Sequence, residues 1–157
     1  MPQEIERKFL VKDDSWRAAA GAGKAYLQGY LSLDRGRVVR IRVKEGRGFL
    51  TIKGLRQGIS APEYEYPIPV EDAEEMLQKL CLRPLIKKTR YEVPFGGLTW
   101  EIDVFQGDNQ GLVLAEVELD SEEQPVALPP WAGLEVSDDP RYSNASLVQC
   151  PFGQWGS

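Results

Sequence analysis

Charged residues two apart recur along this chain, segment after segment, and that spacing restricts the kind of sheet it can build. Glu4, Glu6 and Lys8 open the series; Arg40 and Arg42 follow, with Lys44 in phase, then Thr51 and Lys53. Glu63 and Glu65, Lys88 and Arg90, Glu101 and Asp103, and Glu116 and Glu118 complete it. Side chains alternate across a pleated strand, so each pair shares one face. The other phase is apolar: Ile5 and Phe9, Val39, Ile41 and Val43, Phe49, Trp100, Ile102 and Val104, then Ala115, Val117 and Leu119. A single Glu-x-Glu or Arg-x-Arg is most simply the solvent face of an antiparallel sheet. Exposed faces usually mix Ser, Thr, Gln, Lys and Glu, however, whereas here whole strands are acidic or basic. If helices and loops cover the apolar phase, the charged phase lines the inside of a closed sheet.

The segments themselves read in period 2. Strands are predicted over Gln3–Lys12, Ala25–Leu33, Arg37–Glu45, Gly48–Gly54, Ala61–Val70, Arg83–Pro94, Leu98–Phe105 and Leu112–Asp120. Turn-type residues separate them, as in Asp34-Arg35-Gly36, Glu45-Gly46-Arg47-Gly48 and Phe95-Gly96-Gly97, which favours an antiparallel meander. Helices are predicted over Asp13–Ala20, capped by its aspartates, over Glu71–Leu82 with Ala73, Met76, Leu77 and Leu80 on one face, and over Ser143–Gln149. The expected fold is mainly β: an eight-stranded antiparallel closed barrel with a few flanking helices, in a single domain spanning residues 1–157.

A lumen of that kind cannot be dry. Each ion moved into a low-dielectric interior costs several kcal/mol even after relaxation. Roughly a dozen of them would exceed a net stability of about 5–15 kcal/mol. The barrel must be a watered tunnel whose charges are met from outside. Clustered arginine and lysine fit phosphate, and clustered carboxylates fit a hard cation with oxygen ligands such as Mg²⁺ or Mn²⁺. Structural ion pairing among the strands is the rival explanation.

Composition narrows the chemistry further. The chain contains no histidine, which removes Ser-His-Asp and Cys-His catalysis and every histidine-based zinc site. The net charge of −5 argues against nonspecific nucleic-acid binding. No apolar run approaches the roughly 20 residues of a membrane span, and the N-terminus lacks the order of a secretory signal. Cys81 and Cys150 have no metal-type spacing, so they read as free thiols in a reducing cytoplasm.

The same segments resemble the CYTH superfamily, the triphosphate tunnel metalloenzymes. The resemblance begins at Glu4-Ile5-Glu6-Arg7-Lys8 and continues through Gln28-Gly29-Tyr30-Leu31, Val39-Arg40-Ile41-Arg42 and Thr51-Ile52-Lys53. It runs on through Glu63-Tyr64-Glu65, Lys88-Thr89-Arg90-Tyr91, Glu101-Ile102-Asp103-Val104-Phe105, Ala115-Glu116-Val117-Glu118 and Asp139-Pro140-Arg141-Tyr142-Ser143-Asn144. It implies an eight-stranded tunnel that cleaves or rearranges a triphosphate with Mg²⁺ or Mn²⁺. Carried over by position, Lys8, Arg40, Arg42, Lys53, Lys88 and Arg90 would hold phosphate, and Glu4, Glu6, Asp103, Glu116 and Glu118 the metal. Lys8 with Tyr30 would handle the proton of the attacking water. Glu63, Glu65 and Glu101 would balance charge or act through water, and Arg141 would reach a tunnel mouth or simply lie at the surface.

The compact length and the opening signature resemble the small inorganic triphosphatases, which convert tripolyphosphate to pyrophosphate and phosphate. Within the family the alternatives are a class IV adenylate cyclase, a thiamine triphosphatase and, less suited to the acidic balance, an RNA 5′-triphosphatase. Outside it stands a non-catalytic polyphosphate-binding module, which would not need the acidic pairs. The expected partner is a small-molecule polyphosphate, with no nucleic acid and no membrane, in a monomer or homodimer.

Overall fold

The alternation of charged and apolar residues does produce a closed ring of strands. The protein is described here by a computed structural model covering residues 2–155; Met1, Gly156 and Ser157, part of the expected single domain, lie outside the described residues. Eight strands carry the ring: β1 (Gln3–Val11), β2 (Lys24–Asp34), β3 (Arg37–Lys44), β4 (Arg47–Lys53), β5 (Ser60–Ile68), β6 (Ile86–Phe95), β7 (Leu98–Phe105) and β8 (Val113–Glu118). They neighbour one another in the order β5-β4-β3-β2-β6-β7-β8-β1, and β1 pairs back onto β5 to close the circle. Every pairing is antiparallel.

The closure is shared along β1. One of its edges pairs Glu6–Leu10 with β8, while the other edge pairs Gln3–Ile5 with β5. Further along that second edge, a ninth strand not predicted from the sequence, β9 (Ala132–Glu135), pairs with Phe9 and Val11. β9 thus satisfies backbone groups of β1 that β5 is too short to reach.

Helices cover the apolar outer phase as expected. The helix α1 (Val70–Lys79) lays Ala73 and Leu77 on Ile41, with Leu27, Val43 and Leu50 beside them. A 3-10 turn over Asp14–Ala19, capped by the Asp13 carboxylate on the Ser15 amide, brings Trp16 onto the opposite flank. There Trp16, Trp100 and Trp131 bury themselves with Phe9, Val93, Ile102 and Val117. Among the described residues no helix is long and apolar enough to cross a membrane.

Two features depart from the expected division of faces. Phe49 stands opposite Arg42, in phase with Thr51 and Lys53, so it belongs to the lumen face and not to the apolar outer one. The lumen is also not charged from end to end. The second helix, α2 (Asn144–Gln149), packs Leu147 and Val148 against Tyr30, Ile86, Phe105 and Leu114. Those residues share the inward phase, since Phe105 faces Lys88 and Leu114 faces Asp103 across the sheet. One end of the barrel is therefore filled by an apolar plug, and the charges occupy the remainder.

Candidate active site

A cavity of about 590 Å³ occupies that remainder. It is lined by Glu4, Glu6 and Lys8 from β1, Arg40, Arg42 and Lys44 from β3, Lys53 from β4, and Glu63 and Glu65 from β5. Lys88 and Arg90 from β6, Glu101 from β7 and Glu116 and Glu118 from β8 close the circle. Tyr30 lies on its wall, and residues of α2 form part of its floor. Strands from opposite sides of the ring thus bring together nearly all the residues singled out in the sequence. Two of them do not line the cavity: Asp103, buried behind its wall, and Arg141, which is exposed and pairs with Asp139 at 2.7 Å.

Much of the charge is matched internally. Asp103, fully buried, receives Arg90 through Nε at 2.7 Å and Nη2 at 2.9 Å, and Lys88 Nζ at 2.7 Å. Although burial opposes its ionisation, those two cations hold its carboxyl far below the usual range. Both Asp103 oxygens are therefore committed to cations, and Asp103 does not line the cavity as the other expected metal ligands do. Burial, with Arg90 and Arg42 nearby, draws Lys88 down to about 7 even though Asp103 works the other way. Lys53 contacts Glu4 at 3.0 Å and Glu63 at 3.5 Å. Burial works against it, yet Lys53 and the Glu63 side chain hold Glu4 at about 2; burial and Glu4 in turn push Glu63 up to about 7. Arg90 also reaches Glu101 at 3.2 Å, and Arg40 reaches Glu65 at 3.2 Å. Lys8 Nζ donates to the Tyr142 carbonyl at 3.1 Å and lies 3.6 Å from Glu116.

The lumen is unmatched in two places. Glu6 and Glu118 stand directly opposite each other on β1 and β8, and neither has an ion-pair partner among the described residues. Burial, Glu116 and Glu4 push Glu6 up to about 8, and Glu118 is raised by burial and the same two neighbours. Across the cavity Arg42 has no carboxylate partner among the described residues; its Nε donates to Gln28 at 2.8 Å. Burial and the neighbouring Arg40 and Arg90 pull it down to about 10. Arg40 Nε, also buried, finds no acceptor among the described residues. One wall therefore lacks a cation and the other lacks an anion.

Several contributors carry no charge and escaped a search for charged pairs. Gln28 accepts from Arg42, and its amide donates to the Tyr30 hydroxyl at 3.1 Å and to Asn144 Oδ1 at 3.3 Å. Asn144 Oδ1 accepts from Lys88 at 3.1 Å, so the first residue of α2 touches the site. Thr51, which the sequence already put in phase with Lys53, bridges Arg40 and Glu65. Tyr26 places its ring beneath several cations. The signal was present for β2, where Tyr26, Gln28 and Tyr30 stand two apart. The expected partners Lys8 and Tyr30 share the cavity but are held by different neighbours.

Comparison with known proteins agrees with this architecture. The CYTH domain family model matches residues 2–149. A protein of Acetivibrio thermocellus named inorganic triphosphatase is 49% identical over 152 residues, covering 97% of each chain. One of Nitrosomonas europaea, with the same name, is 39% identical over 92% of this chain and 96% of its own. The crystal structure of an inorganic triphosphatase superimposes with a TM-score of 0.66 at 37% identity, over 92% of this chain and 96% of that one. A putative adenylyl cyclase of Hippeastrum, at 13% identity, a TM-score of 0.59 and 76% and 81% coverage, shares the fold alone. With a ring of eight antiparallel strands, inward charges and a family match across nearly its whole length, this chain belongs to the CYTH domain family.

Proposed function

We propose that this chain hydrolyses inorganic tripolyphosphate to pyrophosphate and phosphate within the barrel, with a divalent metal ion, Mg²⁺ or Mn²⁺. The observation that carries this is the pair of unmatched walls: Arg42 and the orphaned Arg40 Nε invite an anion, while Glu6, beside Glu4 and Glu116 and opposite the exposed Glu118, invites a cation. Two relatives named inorganic triphosphatase, 49% and 39% identical, support the same reaction. A metal-bound oligophosphate meets both demands at once.

The donor set fits a hard ion, because the cavity offers carboxylate oxygen and no histidine. Glu4, Glu6, Glu116 and Glu118 would hold it, whereas Asp103 serves better as the anchor of Lys88 and Arg90. Among the described residues no three such side chains form a ready-made cage. Mg²⁺ is commonly held by one or two carboxylates together with substrate phosphates, so Glu6 and Glu118, which no cation pairs among the described residues, would be its first ligands, with Glu4 and Glu116 beside them. When bound, the ion supplies neutralisation and Lewis-acid polarisation of phosphate oxygens.

The remaining work falls to the chain. Water adds to a terminal phosphorus, the bridging P–O bond breaks, and pyrophosphate leaves with its electron pair while one proton is released. Arg40, Arg42, Lys53 and Arg90 position the chain and spread the charge of the leaving pyrophosphate. Lys8, oriented by the Tyr142 carbonyl, reaches phosphate from β1. Tyr30 takes the proton-transfer role with Lys8; Gln28 fixes the phenolic oxygen. Lys88, enclosed behind Asp103 and Asn144, holds the wall in place.

The test is phosphate release from tripolyphosphate, pyrophosphate, ATP and thiamine triphosphate in parallel, each with Mg²⁺, Mn²⁺ or EDTA. Tripolyphosphate should be cleaved fastest, and EDTA should abolish turnover. Faster cleavage of ATP or thiamine triphosphate would move the chain to a different triphosphatase activity, and binding without turnover would make it a polyphosphate-binding module.

A further inference from the structure

Between the two basic walls of the lumen, β3 and β6, runs β2; beyond the exposed Lys24 at its start, its inward residues Tyr26, Gln28 and Tyr30 carry no formal charge. Tyr26 stands opposite Lys44 on one side and opposite Lys88 on the other. Its ring centroid lies 4.9 Å from the guanidinium carbon of Arg42 and 4.9 Å from that of Arg90. Lys44 Nζ is 5.3 Å away and Lys88 Nζ 5.9 Å. Four cations thus converge on one ring that is only 6% exposed and does not line the cavity.

The four do not depend on it equally. Arg90 is clamped by two hydrogen bonds to Asp103, and Lys88 by Asp103 and Asn144. Among the described residues Arg42 has a single hydrogen bond, from Nε to Gln28. For Arg42 the negative face of the ring adds a second local attraction, with the centroid 4.9 Å from its guanidinium carbon. The tyrosine hydroxyl makes no hydrogen bond among the described residues.

We propose that Tyr26 is a positioning residue: its aromatic face holds the unpaired Arg42 guanidinium beside Arg90, pre-set for the substrate's phosphate oxygens. This rests on the tripolyphosphatase function above. A cation already held in place loses less freedom when phosphate arrives, so the ring acts on substrate affinity more than on the bond-breaking step.

Steady-state kinetics with tripolyphosphate test it. Tyr26→Phe keeps the ring and should hold KM and kcat within about twofold of wild type, whereas Tyr26→Leu should raise KM about tenfold, a size typical of losing a desolvated cation–π contact. In an Arg42→Ala background the same exchange to leucine should raise KM by less than about twofold, because the group being positioned is gone. Should the leucine variant not fold, phenylalanines at position 26 with one, two and three ring fluorines keep the shape and weaken the negative face stepwise, and KM should climb with each. An unchanged KM in Tyr26→Leu or along the fluorine series, a phenylalanine variant as impaired as leucine, or full additivity with Arg42→Ala would each overturn the role. Absence of turnover in the wild-type protein would instead overturn the function on which it rests.

Discussion

Glu6 is the residue where folding and function conflict most sharply. It faces Glu118 without a cation and is held up at about 8, against an ordinary 4.5. Between those values the folded chain binds more protons than the unfolded one, so this group's contribution to stability falls as pH rises through the window. Glu63, raised to about 7, acts in the same direction over a shorter range. Lys88, drawn down to about 7, acts oppositely above that pH, where the unfolded chain holds the extra proton. Without ligand, the melting temperature should therefore fall from pH 5 to pH 7. Glu6→Gln should flatten that fall and raise the midpoint at pH 7, by about 2–4 °C for each kcal/mol regained, while abolishing metal-dependent turnover. A steeper fall in the variant would refute the assignment. Tyr30→Phe separates chemistry from packing, because Tyr30 is buried against Phe105 and Leu147 and loses only its hydroxyl. Turnover should drop about 10²–10⁴-fold, the usual loss for a general acid or base, with tripolyphosphate KM little changed; ordinary turnover would remove tyrosine from the mechanism. At this scale the charged residues were legible because a period of two declares the face they share. Thr51 was placed on that face with Lys53, but the contacts of Gln28 and Asn144 were not legible, since a neutral side chain does not announce which charged group it will meet.

Among the elements, the two helices have different tasks. α1 covers the outside of β3 and β4 with Ala73 and Leu77. α2 enters the barrel, and the same turn that seats Leu147 in the plug brings Asn144 onto Lys88. Leu77→Ala and Leu147→Ala remove the same atoms from buried sites, and each should cost about 2–5 kcal/mol of stability. Only Leu147→Ala should also raise KM severalfold at temperatures where both variants are folded. Equal kinetic effects in thermal melts and assays run side by side would mean that the plug does not communicate with the site. The strands and α1 were readable from alternation, turn residues and helical spacing. β9 was not, because Ala132-Gly133-Leu134-Glu135 is too short to show a period and is a strand by virtue of pairing with the free edge of β1. The inward course of α2 was not readable either. An apolar Leu147-Val148 pair seeks burial, but its sequence does not say which surface will supply it.

For the whole molecule, the sequence implied a closed, charged tunnel from the energetic cost of its own charges. The structure keeps the closure and much of the charge while replacing one end with apolar packing. The charge that is left is nearly even around the cavity, nine basic and eight acidic residues, yet it is divided so that, among the described residues, Arg42 has no carboxylate partner and Glu6 and Glu118 have no cation paired with them. A lumen built this way should be more stable occupied than empty, which a melting experiment can read. The decisive measurement is the rise in melting temperature produced by tripolyphosphate in the wild-type protein, in Arg42→Ala and in Arg7→Ala. Arg7 points outward and pairs with Glu135, so it serves as the control. At about 100 times the dissociation constant, ligand binding should add about 2.7 kcal/mol, a rise of about 5–11 °C at this chain length. That rise should persist in Arg7→Ala and shrink to a small fraction in Arg42→Ala. Equal rises in all three proteins would contradict the lumen as the place where the triphosphate binds.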